Sequence, residues 1–279
     1  SNKYSEIRRY RLQGFTKYLA FAACLLPVLL GFLLPALQLL VWTFTTAQES
    51  ISWSFLSLTW NSLMLAAVAA IVAVLLALLL AYGKRLRSTP LIQGSVRTAA
   101  MGYAVPGTVI AVGVLIPFAW LDNTIDGWMR ETFGISTGLL LSGTLVALIF
   151  AYTVRFLSVS IQAVESGLAK IKPSMDDAGR SLGLRPMGVL RKIHLPIMKG
   201  TVLTALLLVF VDVLKELPAT LILRPFNFNT LAVRAYEMAA DERLADAGAP
   251  ALMIVLAGII PVILLSRAIS RARAGGETP

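Results

Sequence analysis

The chain has 279 residues, of which 57% are hydrophobic and 14% charged, with a mean hydropathy of +0.76. No water-soluble domain of this size needs that much apolar sequence, so the composition indicates an integral membrane protein. The net charge of +10 reads as Lys and Arg held in cytoplasmic loops rather than as a nucleic-acid surface, and a single Cys24 and a single His194 exclude an intrachain disulfide and a Cys/His zinc cluster.

The first residues, SNKYSEIRRYRLQGF, lack Met and read as a cut end or a tag remnant; residues 1–17 are expected to be a cytoplasmic segment. Six apolar segments follow, each near the roughly 20 residues that a ~30 Å hydrocarbon core requires. They are Tyr18–Phe44, Trp60–Tyr82, Ala99–Leu121, Thr137–Phe156, Gly200–Leu223 and Gly248–Ser266. The first is too long for a signal-peptide core and no cleavage-site pattern follows it. Cys24 lies within it and reads as a packed small residue. The expected organisation is an all-α, six-span domain over residues 18–266 and a cytoplasmic tail over residues 267–279.

Basic residues orient the spans. With both termini inside, the cytoplasm holds Lys3, Arg8, Arg9, Arg11 and Lys17, then Lys84, Arg85, Arg87 and Arg97. It also holds Arg155, Lys170, Lys172, Arg180, Arg185, Arg191, Lys192 and Lys199 of the fourth-to-fifth loop, and Arg267, Arg271 and Arg273 of the tail. Only Arg130, Arg224, Arg234 and Arg243 fall outside and Lys215 falls within a span, so the positive-inside rule gives N-in, C-in. Trp42, Trp53, Trp60, Trp120 and Trp128 sit near the interfaces, as an aromatic belt does.

The longest cytoplasmic loop, residues 157–199, contains DAGRSLGLRPMGVLRKIHLP. Its signals predict two short helices with a turn. Ser174 is a candidate cap, with Asp177 three residues on. Leu182-Gly183 is a stop, Pro186 a first-turn proline, and Leu195-Pro196 a closing pair. Met187, Leu190, Ile193 and His194 recur at helical spacing, and Arg185, Arg191 and Lys192 supply charge, so the stretch also fits an amphipathic connector on anionic lipid.

This stretch resembles the cytoplasmic signature of ABC-importer permeases: Glu-Ala-Ala, three residues, Gly, nine residues, Ile, any residue, Leu-Pro. Here Asp177, Ala178, Gly179, Gly183, Ile193, Leu195 and Pro196 fall at those spacings, with Asp177 in place of Glu and Gly179 in place of Ala. The second departure weakens a helix by up to ~1 kcal/mol. The resemblance implies a type I importer permease fold in which this loop is a coupling helix that docks on a separate ATP-binding subunit carrying ATP and Mg. The run from Val209 to Leu252, together with TWNSLMLA near Thr59 and GYAVPGTVIAVG near Gly102, is similar to ferric-iron permeases, commonly one chain of two fused six-span halves. This chain resembles the C-terminal half. The implied partners are ATPase subunits, a second six-span half (fused or separate), a periplasmic binding protein and membrane lipid, in the bacterial inner membrane.

Asp212, Lys215 and Glu216 lie near the middle of the fifth span, where each charge costs roughly 2.5–3.5 kcal/mol. Their spacing puts them on one helix face, which should line the bundle or a water-filled path. Three readings stand: an ion-pair lock between helices, a gating or interface role, and weak transient contact of Asp212 and Glu216 with a passing hard cation. Tyr103, Pro106, Gly107 and Gly113 suggest a kinked third span with close packing, or lining of the path. Residues 224–247 form an outer loop of mixed charge, either solvated or part of a surface that receives a binding protein.

No GxxxxGK[ST] phosphate loop is present, so the chain is not itself an ATPase, and no His or Cys constellation supports catalysis or a resident metal. The alternatives are a permease for another small solute (thiamine, phosphonate), a gradient-driven transporter using Asp212 and Glu216 as an ion relay, and a membrane enzyme.

Overall fold

The computed structural model describes residues 10, 12–50 and 52–274, with side chains left out at 47–50, 264, 265 and 267–274. Lys3, Arg8, Arg9 and Arg11 of the expected N-terminal segment, and the side chains of Arg267, Arg271 and Arg273 of the expected tail, lie outside the described residues.

The helices in chain order begin with α1 (Phe15–Val28), a π turn (Leu29–Leu33), α2 (Leu34–Ser50), α3 (Trp53–Leu86) and α4 (Pro90–Ala99). A 3-10 turn (Gly102–Ala104), α5 (Gly107–Phe133), α6 (Leu145–Leu168), α7 (Pro173–Ser181) and α8 (Pro186–Val189) follow. A second π turn (Leu190–His194) leads into α9 (Leu195–Leu214), α10 (Pro218–Leu223), α11 (Leu231–Ala240) and α12 (Gly248–Ala274). Among the described residues, five stretches are long and apolar enough to cross a membrane: Phe15–Thr46, Trp53–Leu86, Gly107–Phe133, Leu145–Leu168 and Pro186–Leu214. α12 adds the apolar segment Gly248–Ile263.

α3, α6 and α9 form the centre. α3 buries Ala66, Ala69, Ala70, Ala73, Ala77 and Ala81 along one stripe, and small residues let membrane helices approach closely where no hydrophobic drive separates protein from lipid. Into that stripe pack Leu148, Tyr152 and Phe156 of α6 and Val209 and Val213 of α9. Toward the end that carries α7 and α8, Ile161 and Val164 of α6 and Met198 and Ala205 of α9 continue the core. α1 buries no residue; α2 leans on α12, where a Cβ at Gly248 would lie 3.1 Å from Leu39 O.

Several expected boundaries are corrected. The third span does not start at Ala99: α4 ends there, a 3-10 turn follows, and Pro106 caps a helix that continues past Leu121 to Phe133. The fourth does not start at Thr137: residues 134–144 are held against α5 by carboxylates, and Thr144 caps α6 by accepting the Val146 N–H. Asp122 accepts the N–H groups of Leu140, Leu141 and Ser142, and Asp126 those of Thr137 and Gly138. Because α6 runs on to Leu168 and α9 begins at Leu195, the loop between them is shorter than residues 157–199. α12 continues to Ala274, beyond the expected end at 266.

Leu195-Pro196 opens α9 instead of closing the preceding helix. A proline ring crowds the carbonyl four residues earlier and offers no N–H. Here a π turn precedes the proline, and its wider hydrogen bond from the Leu195 N–H to Leu190 O eases the crowding. The same device precedes Pro35, where Leu34 N–H donates to Leu29 O.

Candidate functional site

Two groups of the sequence-marked residues lie at different heights in the bundle. At the loop end, Lys172 caps α7 and Pro173 takes its first position, so Ser174 is not the cap. Gly183 stops α7 at φ +78°, and an added Cβ there would meet nothing within 4 Å. The signature residues divide into two sets. Gly179 and Ile193 face each other inside the loop: a Cβ on Gly179 would sit 2.8 Å from Ile193 Cδ1 and 3.1 Å from Val189 Cγ2. Glycine at this position, which sequence alone marks as a weakened helix, lets α7 close on the second π turn. Asp177, Ala178 and Gly183 are exposed instead, beside Leu182 at 82% exposure and the exposed Met175 and Met187. The tip therefore exposes Met175, Leu182 and Met187 among the charged Asp177, Arg180 and Arg185, backed by a packed interior.

That interior rests on three residues given no site role from sequence. Arg85 donates from Nε to Asp176 Oδ2 at 2.8 Å, from Nη1 to Leu168 O at 2.6 Å and from Nη2 to Ile171 O at 2.9 Å. The other Asp176 oxygen meets Nε2 of the fully buried His194. Burial pushes the Asp176 carboxyl up, but the hydrogen bonds from Arg85 and His194 outweigh it and hold it below the ordinary carboxylate range. Tyr82 Oη donates to Pro186 O at 2.7 Å, and its ring meets His194 edge-on with centroids 5.4 Å apart. The adjacent acids thus point opposite ways, Asp177 outward and Asp176 inward. Arg85 and His194 carry no local sequence mark, since their partners are distant in the chain.

The second group sits beside the middle of α6. α9 ends at Leu214 and α10 begins at Pro218, so the expected continuous fifth span is broken between them. The break separates the three charges that regular helical spacing puts on one face. Asp212 and Lys215 pair at 2.9 Å, with the Lys215 side chain 62% exposed. Glu216, only 6% exposed, turns inward to Arg155, Oε2 to Nε 3.5 Å. Arg155 is therefore not a loop residue: it belongs to α6, and its guanidinium lies over the Phe156 ring. Glu216 Oε1 also accepts the Ala219 N–H at 3.3 Å, and its carbonyl accepts the Thr220 hydroxyl. The signal for this pair was an arginine inside the apolar run FAYTVRFLSVS.

Gly107 lies under this pair; a Cβ there would overlap Arg155 Nη1 and sit 2.7 Å from Glu216 Oε1. Gly102 is tighter, because its Cβ would overlap Val154 O of α6. Gly113, expected to pack closely, has open space beside it. Tyr103 and Pro106 are exposed on the same turn. Among the described residues no three His, Cys, Asp or Glu side chains converge as metal ligands, and Asp212 and Glu216 each already face a cationic side chain.

At the opposite end the expected outer loop is largely structured. α11 buries Leu231, Ala232 and Val233, and the Leu231 N–H donates to Ser62 Oγ of α3. Arg224 pairs with Glu237 at 3.0 Å and Arg243 with Asp246 at 2.7 Å.

Residues 73–274 match the family of binding-protein-dependent transport system inner membrane components. The chain is 29% identical to the Fe(3+)-transport system permease protein FbpB 2 of Haemophilus influenzae over 84% of its own length, but spans only 44% of that relative. It is 25% identical to the putative 2-aminoethylphosphonate transport system permease protein PhnV of Salmonella typhimurium over 60% of this chain and 57% of PhnV. It is 22% identical to the spermidine/putrescine transport system permease protein PotC of Escherichia coli over 88% of this chain and 91% of PotC. The fold matches a chain of a bacterial alginate ABC transporter solved with its alginate-bound periplasmic protein, at TM-score 0.66 and 14% identity over 94% of this chain and 97% of that one. A chain of the MetNI methionine ABC transporter matches at TM-score 0.57 and 17% identity, over 79% of this chain and 99% of that one. An all-helical bundle built on α3, α6 and α9, with a family match reaching from α3 to the end of α12, makes this chain a multi-pass bacterial inner-membrane protein that belongs to the binding-protein-dependent transport system inner membrane component family.

Proposed function

We propose that this chain is one six-span half of an ATP-driven importer whose substrate is ferric iron. The chain is a transport subunit, not an enzyme; ATP and Mg belong to a partner ATPase. Support for iron comes from similarity to the ferric permease across 84% of the chain. The observation that carries the mechanism is the tip formed by α7, the left-handed Gly183 turn and α8. It offers Leu182, Met175 and Met187 to a partner while Gly179 and Ile193 hold it from behind. In this reading the tip faces the cytoplasm and docks on the ATPase. ATP-driven closure moves it, and the path opens toward a loaded binding protein at the α11 end. A second six-span half, fused or separate, completes the path.

Docking is tested by co-purification of the ATPase with wild type, Leu182→Asp and Gly183→Asp, with the complementary half supplied and membrane levels checked. Leu182 is exposed, so its change leaves the packing intact. Retention by wild type and loss by Leu182→Asp is the expected result; equal retention by all three overturns docking at this tip. Uptake of radiolabelled ferric citrate, against 2-aminoethylphosphonate and spermidine, tests the substrate. The pairing of Asp212 with Lys215 and of Glu216 with Arg155 favours an ion-pair lock over an ion relay at these carboxylates.

A further inference from the structure

We propose that Arg85, Asp176 and His194 form a rigid joint, so that α7 moves as one body with the ends of α3 and α6 and loop movement enters the bundle through those helices as well as through α9. The inference rests on the docking role of the α7–α8 tip.

Only four residues, 169–172, separate α6 from α7. A link that short, left alone, is a hinge about which α7 swings without disturbing the spans. Arg85 closes the hinge. Its planar fork reaches the end of α6 through Leu168 O, the link itself through Ile171 O and α7 through Asp176. Guanidinium geometry is pre-organised for such a fork, which a lysine ammonium cannot reproduce. Asp176 passes the constraint on, because its second oxygen holds His194 of the π turn that opens into α9. α3 grips the loop again one turn earlier, where Tyr82 bonds Pro186 O and packs against His194. Lys84 adds a third tie, to Glu165 of α6 at 2.6 Å. The polar centre is shielded: Arg85 and Asp176 are mostly buried and His194 is fully buried. Arg85 thus acts as a positioning residue, reaching the partner only through α7.

The test uses the full complex with its ATPase in lipid nanodiscs. In a Cys24→Ser background, spin labels at Arg87→Cys and Ser181→Cys report the distance between the α3 end and α7. One distance, unchanged between nucleotide-free and ATP-trapped states, is expected; a shift between the states overturns the joint. In unlabelled protein, Arg85→Gln keeps ATPase co-purification and basal hydrolysis. It lowers binding-protein-stimulated hydrolysis and uptake on the order of tenfold, with Arg85→Lys intermediate. Full stimulation in Arg85→Gln overturns the proposal. Loss of docking together with stimulation also overturns it, because Arg85 then only scaffolds the tip. If Arg85→Gln fails to fold, the wild-type distance decides alone. If wild type does not retain the ATPase, the docking reading itself fails, and this is seen before any variant is compared.

Discussion

Replacing Gly102 with Ala sets one methyl group against the backbone of α6. The added Cβ overlaps Val154 O and lies 2.8 Å from Val154 C and 3.4 Å from Arg155 Cα. None of these atoms is the free end of a side chain, so α6 cannot yield locally and the 3-10 turn must withdraw by about 1.5 Å to restore ordinary contact. Overpacking of this kind costs about 1–3 kcal/mol, and backbone against backbone belongs at the upper end. The withdrawal also carries Gly107 away from the Arg155–Glu216 pair it lies against. Gly113→Ala is the matched control on the same segment. It meets nothing within 4 Å, and Ala in a helix interior is more stable than Gly by roughly 0.5–1 kcal/mol. Thermal unfolding of the purified protein in nanodiscs should therefore move in opposite directions, with Gly102→Ala lower by roughly 3–5 °C and Gly113→Ala slightly higher. If Gly102→Ala melts at the wild-type temperature, the turn is not seated on α6 and the account of this region is wrong.

Glu216→Gln leaves the Arg155 guanidinium without its anion and is expected to cost about 3 kcal/mol, most of it regained when Arg155→Leu is added; denaturant unfolding of the single and double variants checks this. Asp122→Asn turns an acceptor for three backbone N–H groups and the Ser142 hydroxyl into a mixed donor. Hydrogen exchange should rise at residues 140–142 with a loss of about 1–3 kcal/mol, and stay unchanged at α4. Asp176 titrates below its unfolded value of about 3.9, so its tie is complete above that pH and is lost as pH falls through the lowered value. A spin label at Ser181→Cys should therefore gain mobility only in acid, whereas added Asp176→Asn makes it mobile at every pH.

The class of the chain, its main helices and the position of the loop were legible because hydropathy and the signature spacing are local signals. The errors share one cause. An apolar run marks where a helix is permitted, not where it breaks, so Thr137–Phe156 looked like a span although Asp122 and Asp126 hold residues 134–144 in an irregular path. Likewise Lys215 and Glu216, three and four residues after Asp212, both flank it only while the helix continues, and the break before Pro218 sends them to different partners. Leu195-Pro196 looked like a stop because a proline forbids the ordinary ladder; the wide turn that accommodates it leaves no local mark in composition. Arg85, Asp176 and His194 were hidden for a different reason, since 91 residues separate Arg85 from Asp176.

The π turn ahead of Pro196 has a mechanical consequence. By carrying the helix through the proline, it makes Pro186–Leu214 one 29-residue strut, about 43 Å long at 1.5 Å per residue. Pivoted at one end, a strut of that length turns a tilt of about 5° into a displacement of about 4 Å at the other. Its near end lies beside the exposed tip, and its far end stops at Lys215, next to the Arg155–Glu216 pair. A helix that ended at Leu195 would leave a slack corner there; in the continuous strut a tilt about the tip end becomes a displacement at the charged break in the bundle.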